Sequence, residues 1–172
     1  MNTWVFLSLR ALHVWMAATW VGSTVFTTYL LLPVIRGLGP IGGDVMMGLH
    51  HRKMTRLIGA ISGVTVLTGI YLLWHFTGGF DPQIARSHAG IAFGVGGMAG
   101  VLAAIVSGMV VGRSFENTTK VLTQATTVPD GPQKGELMQA AKRLRQRVAT
   151  FGAVVLVFQM LALVLMAIGH YV

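Results

Sequence analysis

VATFGAVVLVFQMLALVLMAI, running from Val148 to Ile168, holds no charged side chain and one amide, Gln159. At a rise of about 1.5 Å per residue such a run crosses the roughly 30 Å hydrocarbon core of a bilayer as a helix. Working outward, three further stretches share its character: Val5 to Ile35, Leu57 to Phe76 and Ala89 to Val111. Over 172 residues, 53% are hydrophobic and only 10% charged, and the mean hydropathy is +0.68. The expected fold is all-α: an integral membrane, antiparallel four-helix bundle. It forms a single transmembrane domain over residues 1–172, with spans at about 5–35, 57–76, 87–111 and 148–170 and no soluble domain left over.

The first stretch is read as a retained span. After Arg10 no charge recurs until Arg36, an apolar run longer than the roughly 7–15 residues of a signal peptide, and no small-x-small cleavage pattern closes it. No internal repeat or low-complexity segment divides the chain.

Lys and Arg are distributed unevenly between the two ends. Arg36, Arg52, Lys53 and Arg56 fall between the first two spans; Arg113, Lys120, Lys134, Lys142, Arg143, Arg145 and Arg147 fall between the last two. Arg10 and Arg86 alone remain for the other side. The positive-inside rule makes the basic side cytoplasmic, so the expected protein is a multi-pass protein of a bacterial inner membrane with both termini periplasmic. The net charge of +8 is then a topological signal and an attraction to anionic lipid, and nucleic acid binding is set aside.

The connections carry breakers. Gly37-Leu38-Gly39-Pro40-Ile41-Gly42-Gly43 ends the first helix, and Asp44 is the expected N-cap of a second helix that protrudes on the basic side. Thr77-Gly78-Gly79-Phe80-Asp81-Pro82 is expected as a tight turn. Thr126 to Pro132 breaks the basic hairpin, beyond which Glu136 to Arg147 reads as helix continuous with the last span.

His13, His75, His88 and His170 fall one per apolar segment, and this topology puts all four toward the outer face. Neutral imidazole is the usual ligand of haem iron, copper or zinc, and ionisable groups in a membrane bundle usually face its interior. A cluster of this kind would hold a metal or a haem. His13 and His88, on helices that are diagonal in an up-and-down bundle, are the leading ligands; His75 beside Trp74 and His170 beside Tyr171 also read as interfacial anchors. His50 and His51, next to Arg52 and Lys53, read as solvated or headgroup-facing. With no cysteine present, disulfides, thiolate metal sites and a covalently attached c-type haem are excluded.

The surroundings favour haem over a bare metal. Gly90, Gly94, Gly96, Gly97 and Gly100 on the third span and Gly59, Gly63 and Gly69 on the second would open a slot, or equally would serve ordinary close helix packing. Arg10 and Arg86 would pair with haem propionates, or snorkel to the interface. Trp15, Trp20, Phe93 and Phe158 are candidate aromatic walls. No span contains a carboxylate, which argues against a proton-coupled transporter or a di-metal carboxylate site. Gln159, with Thr24, Thr27 and Ser107, would bond a quinone or a neighbouring helix, the helix being favoured. Met16 is the methionine best placed to assist copper at His13.

Ala11-Leu12-His13 followed by Thr19-Trp20-Val21-Gly22, Leu32-Pro33 and Arg36 resembles the first span of the CopD-like and HemJ-like membrane proteins. Arg56 with Leu67-Thr68-Gly69 resembles their second span, and Arg86-Ser87-His88 the start of their third. The resemblance covers roughly two thirds of the chain. It implies a haem b protein with His13 and His88 as the positions to test first, or, through the CopD-like members, copper uptake or resistance through the same histidines. The HemJ-like members have a lysine shortly after the third-span histidine; this chain reads His88-Ala89-Gly90, which sets protoporphyrinogen oxidation apart.

The expectation is a membrane haem b protein, with one haem or two near the outer face, held by His13, His75, His88, His170, Arg10 and Arg86. It would transfer electrons or carry out redox chemistry there, with a haem-dependent oxidoreductase activity left open. Copper is the alternative cofactor. The expected partners are the lipid bilayer and a quinone or other small redox molecule, with self-association left open.

Overall fold

Apolar runs with few breakers leave the backbone one way to satisfy its polar groups inside a bilayer, which is to coil into helices. The computed structural model, which describes residues 2–39, 41–169 and 171, has this form. Four helices are long and apolar enough to cross a membrane: α1 (Thr3–Gly37), α3 (Met54–Phe76), α5 (His88–Thr127) and α6 (Pro132–Ile168). Two shorter ones lie in the connections, α2 (Ile41–His51) and α4 (Pro82–Ala85). The protein is a multi-pass, all-α helical bundle. In it α1 packs on α3, α3 on α5 and α5 on α6, while α6 returns to α1 along the sparsest seam. The outer surface is a belt of large apolar side chains, Leu67 69% and Val157 67% exposed among them, as lipid-facing positions require.

Local chemistry sets the boundaries. The Asn2 side chain accepts from Trp4 N–H at 3.2 Å and caps α1. Pro33 sits inside α1, where its ring would clash with the carbonyl four residues back; the helix widens into π turns over Phe26–Leu31 just before it. A second widened segment, Ser107–Gly112, interrupts α5. Ser87 caps α5, accepting from Gly90 N–H at 3.1 Å.

Four local expectations are corrected. Asp44 lies within the first turn of a helix that already begins at Ile41, where its charge still complements the helix N-terminus. Gly42 allows the close approach there: a Cβ at Gly42 would overlap the Ile35 carbonyl oxygen, whereas one at Gly43 would make an ordinary contact with Leu122 at 3.7 Å. The second helix does not continue into the second span, because Lys53 takes a left-handed backbone (φ 57°) and breaks α2 from α3. The third helix runs on past Val111 to Thr127, its polar half burying Phe115, Thr118 and Leu122 against α6 and α2. The tight turn holds α4 as well: Asp81 accepts from Gln83 N–H at 2.8 Å and Pro82 opens the helix.

Packing is dense at one end only. Leu32, Ile35, Met46, Phe115 and Val148 form one buried cluster toward the basic end, and Trp20, Ala103 and Val155 a second near the middle. Beyond Trp20, toward the 77–81 turn, glycines replace bulky side chains and the bundle opens.

One seam depends on a missing side chain. A Cβ at Gly152 would meet Thr28 Oγ1 at 2.8 Å, where α6 approaches α1. Gly152→Leu is expected to cost about 1–3 kcal/mol by overpacking, read as a lower thermal midpoint in detergent. An unchanged midpoint would show that this seam already yields.

Candidate functional site

The open end contains two adjoining cavities. A long cavity of about 270 Å³ runs from Phe80 at the turn down to Trp20 and Gln159. A rim cavity of about 350 Å³ is walled by Phe6, Arg10, Phe76 and Phe93. His13, Gly69, Leu73, Gly97 and Met166 line both.

His13 lies at the centre of this arrangement. Its Nδ1–H donates to the Thr65 carbonyl at 2.9 Å, with the Thr68 hydroxyl oxygen at 3.0 Å. A carbonyl only accepts, and the Thr68 hydroxyl donates its own proton to Val64 O at 2.7 Å. The proton of the neutral ring therefore sits on Nδ1, leaving Nε2 with its lone pair and no hydrogen-bond partner among the described residues. A backbone carbonyl holding the far ring nitrogen is the arrangement that fixes the tautomer and aim of metal-ligating histidines. The ring fits because position 69 is glycine: a Cβ there would stand 2.8 Å from His13 Cε1.

The other histidines are elsewhere. Phe6 meets His75 in a tilted ring contact, 5.3 Å between ring centres, so His75 sits about 10 Å nearer the turn end than His13. Phe76 meets Phe93 at 5.0 Å, and His88, five residues before Phe93, extends about 7 Å beyond that level. His13, level with Thr65 to Gly69, lies about 20 Å deeper than His88 along the bundle axis. Metal–nitrogen bonds are about 2 Å long, so His13 and His88 are not brought together as a ligand pair. The expectation of one shared depth is corrected for His13, His75 and His88: His88 opens α5 at its exposed end, well away from His13. His88 and Arg86 are exposed and line neither cavity. His170 lies outside the described residues. Among the described residues no three His, Asp or Glu side chains converge on a metal position.

Of the other expected groups, Arg10 lines the rim cavity, Trp20 the long one and Phe93 the rim. Trp15 is 67% exposed on the lipid face and Phe158 packs against the middle core cluster. The glycines divide between both of their expected uses. Gly69, Gly94, Gly97 and Gly100 line the slot, while Gly96 packs on Ala162 and Leu165, and Gly90 against the Ile84 carbonyl.

Sequence reasoning missed Thr65 and Thr68. Their signal was a polar stripe of Ser62, Thr65 and Thr68 at three-residue spacing, all buried on one face of α3. The helix preference read for Gln159 is also revised: it is 2% exposed, and neither its Oε1 nor its Nε2 has a hydrogen-bond partner among the described residues.

Gly69→Val is expected to push the imidazole off its Thr65 and Thr68 partners. Any ligand held by Nε2 should bind about 10–100-fold more weakly, measured by titration of the purified variant; wild-type affinity would show the ring is free to move.

No protein-family model, curated protein or solved structure matches this chain.

Proposed function

We propose that this is a bacterial inner-membrane haem b protein, with the haem held by His13 in the rim cavity and used for electron transfer. The observation that carries this reading is the His13 imidazole, its Nδ1–H tied to the Thr65 carbonyl and its Nε2 lone pair left for a ligand in an apolar slot. The remaining lining fits a tetrapyrrole. Gly69 and Gly97 leave room for a flat macrocycle, Phe6 and Phe93 wall the rim against water, and Arg10 is placed to grip a propionate. Among the described residues Met166 is the other donor-bearing side chain common to both cavities and is the candidate second ligand, in place of a second histidine. Bound there, a b-type haem supplies reversible one-electron chemistry. The protein residues orient the ligand, exclude water and set the charge at the rim.

In this reading the eleven basic residues of the 36–56 and 113–147 regions hold the basic end in the cytoplasm. Among the described residues that end makes one ion pair, Lys134 to Asp130 at 2.6 Å, so its cations stay available to solvent and anionic headgroups. The slot then opens toward the periplasm, where a quinone or small redox molecule exchanges electrons with it. The chain would be a relative of the CopD-like and HemJ-like proteins, with an oxidoreductase activity at the same iron.

The test is cofactor content. Acid-acetone should release about one haem b per chain from purified protein, since no cysteine tethers it. Haem-free protein retaining stoichiometric copper would replace this reading with copper handling.

A further inference from the structure

The long cavity holds three polar atoms that nothing among the described residues satisfies. Gln159 Oε1 and Nε2 and Trp20 Nε1 are buried without a hydrogen-bond partner among the described residues, on side chains 2% and 3% exposed. Both side chains line the cavity. The neighbouring hydroxyls do not help. Thr65 donates to Ile61 O at 2.8 Å, Thr68 to Val64 O at 2.7 Å and Thr24 to Trp20 O at 3.0 Å, each within its own helix. Gln159 is too long to bond back in this way, and in a bilayer no bulk water competes for it. Leaving such groups unpaired costs about 1–3 kcal/mol each, so an amide and an indole facing one apolar cavity mark a place where something else supplies the partners.

The walls define its chemistry. Gly94, Gly97 and Gly100 recur every three residues along one face of α5 and leave a flat surface for a ring. Ile70 and Met98 line the cavity and are also exposed, 48% and 61%, on the lipid-facing surface. The cavity therefore communicates with the bilayer between α3 and α5, and its ligand is lipid-soluble. Two N–H donors call for ring acceptors, and the amide oxygen accepts from a hydroxyl when one is present. A para-quinone meets both conditions: its carbonyl oxygens accept from Trp20 Nε1–H and Gln159 Nε2–H, and the reduced quinol donates to Gln159 Oε1. The geometry points to the long cavity as a binding site for the headgroup of a membrane quinone, with Gln159 and Trp20 as its polar contacts and the tail leaving between α3 and α5. This deepens the proposed electron-transfer role by naming its partner, although binding itself does not require the haem.

Replacing the three exposed tryptophans, Trp4, Trp15 and Trp74, with Phe leaves Trp20 as the sole tryptophan, excited selectively over the three tyrosines. Detergent-solubilised protein is titrated with decyl-benzoquinone, and haem absorbance is recorded on the same sample. Saturable quenching is expected, with Gln159→Leu weakening the affinity about tenfold, and with decylbenzene, which has the tail and ring but no carbonyls, binding poorly and equally to both proteins. Absent saturation, equal quinone affinity in the Gln159→Leu protein, or decylbenzene matching the quinone would each overturn the site. Quinone binding to haem-free protein would overturn the cofactor and leave the quinone site standing; haem without quinone binding would do the reverse.

Discussion

His13→Ala protein is expected to lose its haem, while His88→Ala protein and the His50→Ala/His51→Ala double variant keep a wild-type absorption spectrum. The asymmetry follows from depth and aim. Among the described residues His13 is the histidine that lines both cavities, and its Nδ1–H is already committed to Thr65. His88 stands about 20 Å away along the axis, at the first turn of α5. Thr68→Val should give an intermediate result, a loss of up to about tenfold in haem affinity, because the bond to the Thr65 carbonyl survives. Haem titration of each purified variant reads these effects directly. Loss of haem in His88→Ala with retention in His13→Ala would reverse the assignment.

Gln159→Leu is expected to raise the stability of ligand-free protein by about 1–3 kcal/mol, because it replaces two unsatisfied buried atoms with an apolar group of similar volume. A gain is unusual, since most core substitutions destabilise. Combined with a loss of quinone affinity, it is the signature of a residue kept for binding at the expense of stability. Thermal unfolding in detergent without added quinone measures the gain. A lower midpoint would mean that Gln159 is satisfied in the folded protein and contributes to holding it together.

The architecture was largely legible in the sequence because bilayer physics leaves few alternatives: Val148 to Ile168 has to be a helix, and Gly37, Pro82 and Pro132 interrupt where breakers should. The protruding hairpin was less so. Residues 113–127 are polar by composition and fold as helix only because Phe115, Thr118 and Leu122 find α6 and α2 to pack on. That contact is tertiary, and the local pattern does not announce it.

The site was half legible. His13 was named from its place in an apolar run, and its partners were not, since Thr65 bonds through a backbone carbonyl, which any residue type would supply. Spacing along the chain does not reveal that His88, at the exposed start of α5, stands clear of both cavities. The sequence points Gln159 toward a helix-to-helix bond because isolated amides in membrane helices usually find one. What distinguishes this amide is that no polar partner from another helix reaches it among the described residues, a fact of three-dimensional packing.

The absorption spectrum of the purified wild-type protein, oxidised and then dithionite-reduced, tests the central claim most directly. The account requires a red protein with a Soret band and sharp α and β bands on reduction, and with both features missing from His13→Ala. A colourless protein whose spectrum does not change on reduction would contradict it.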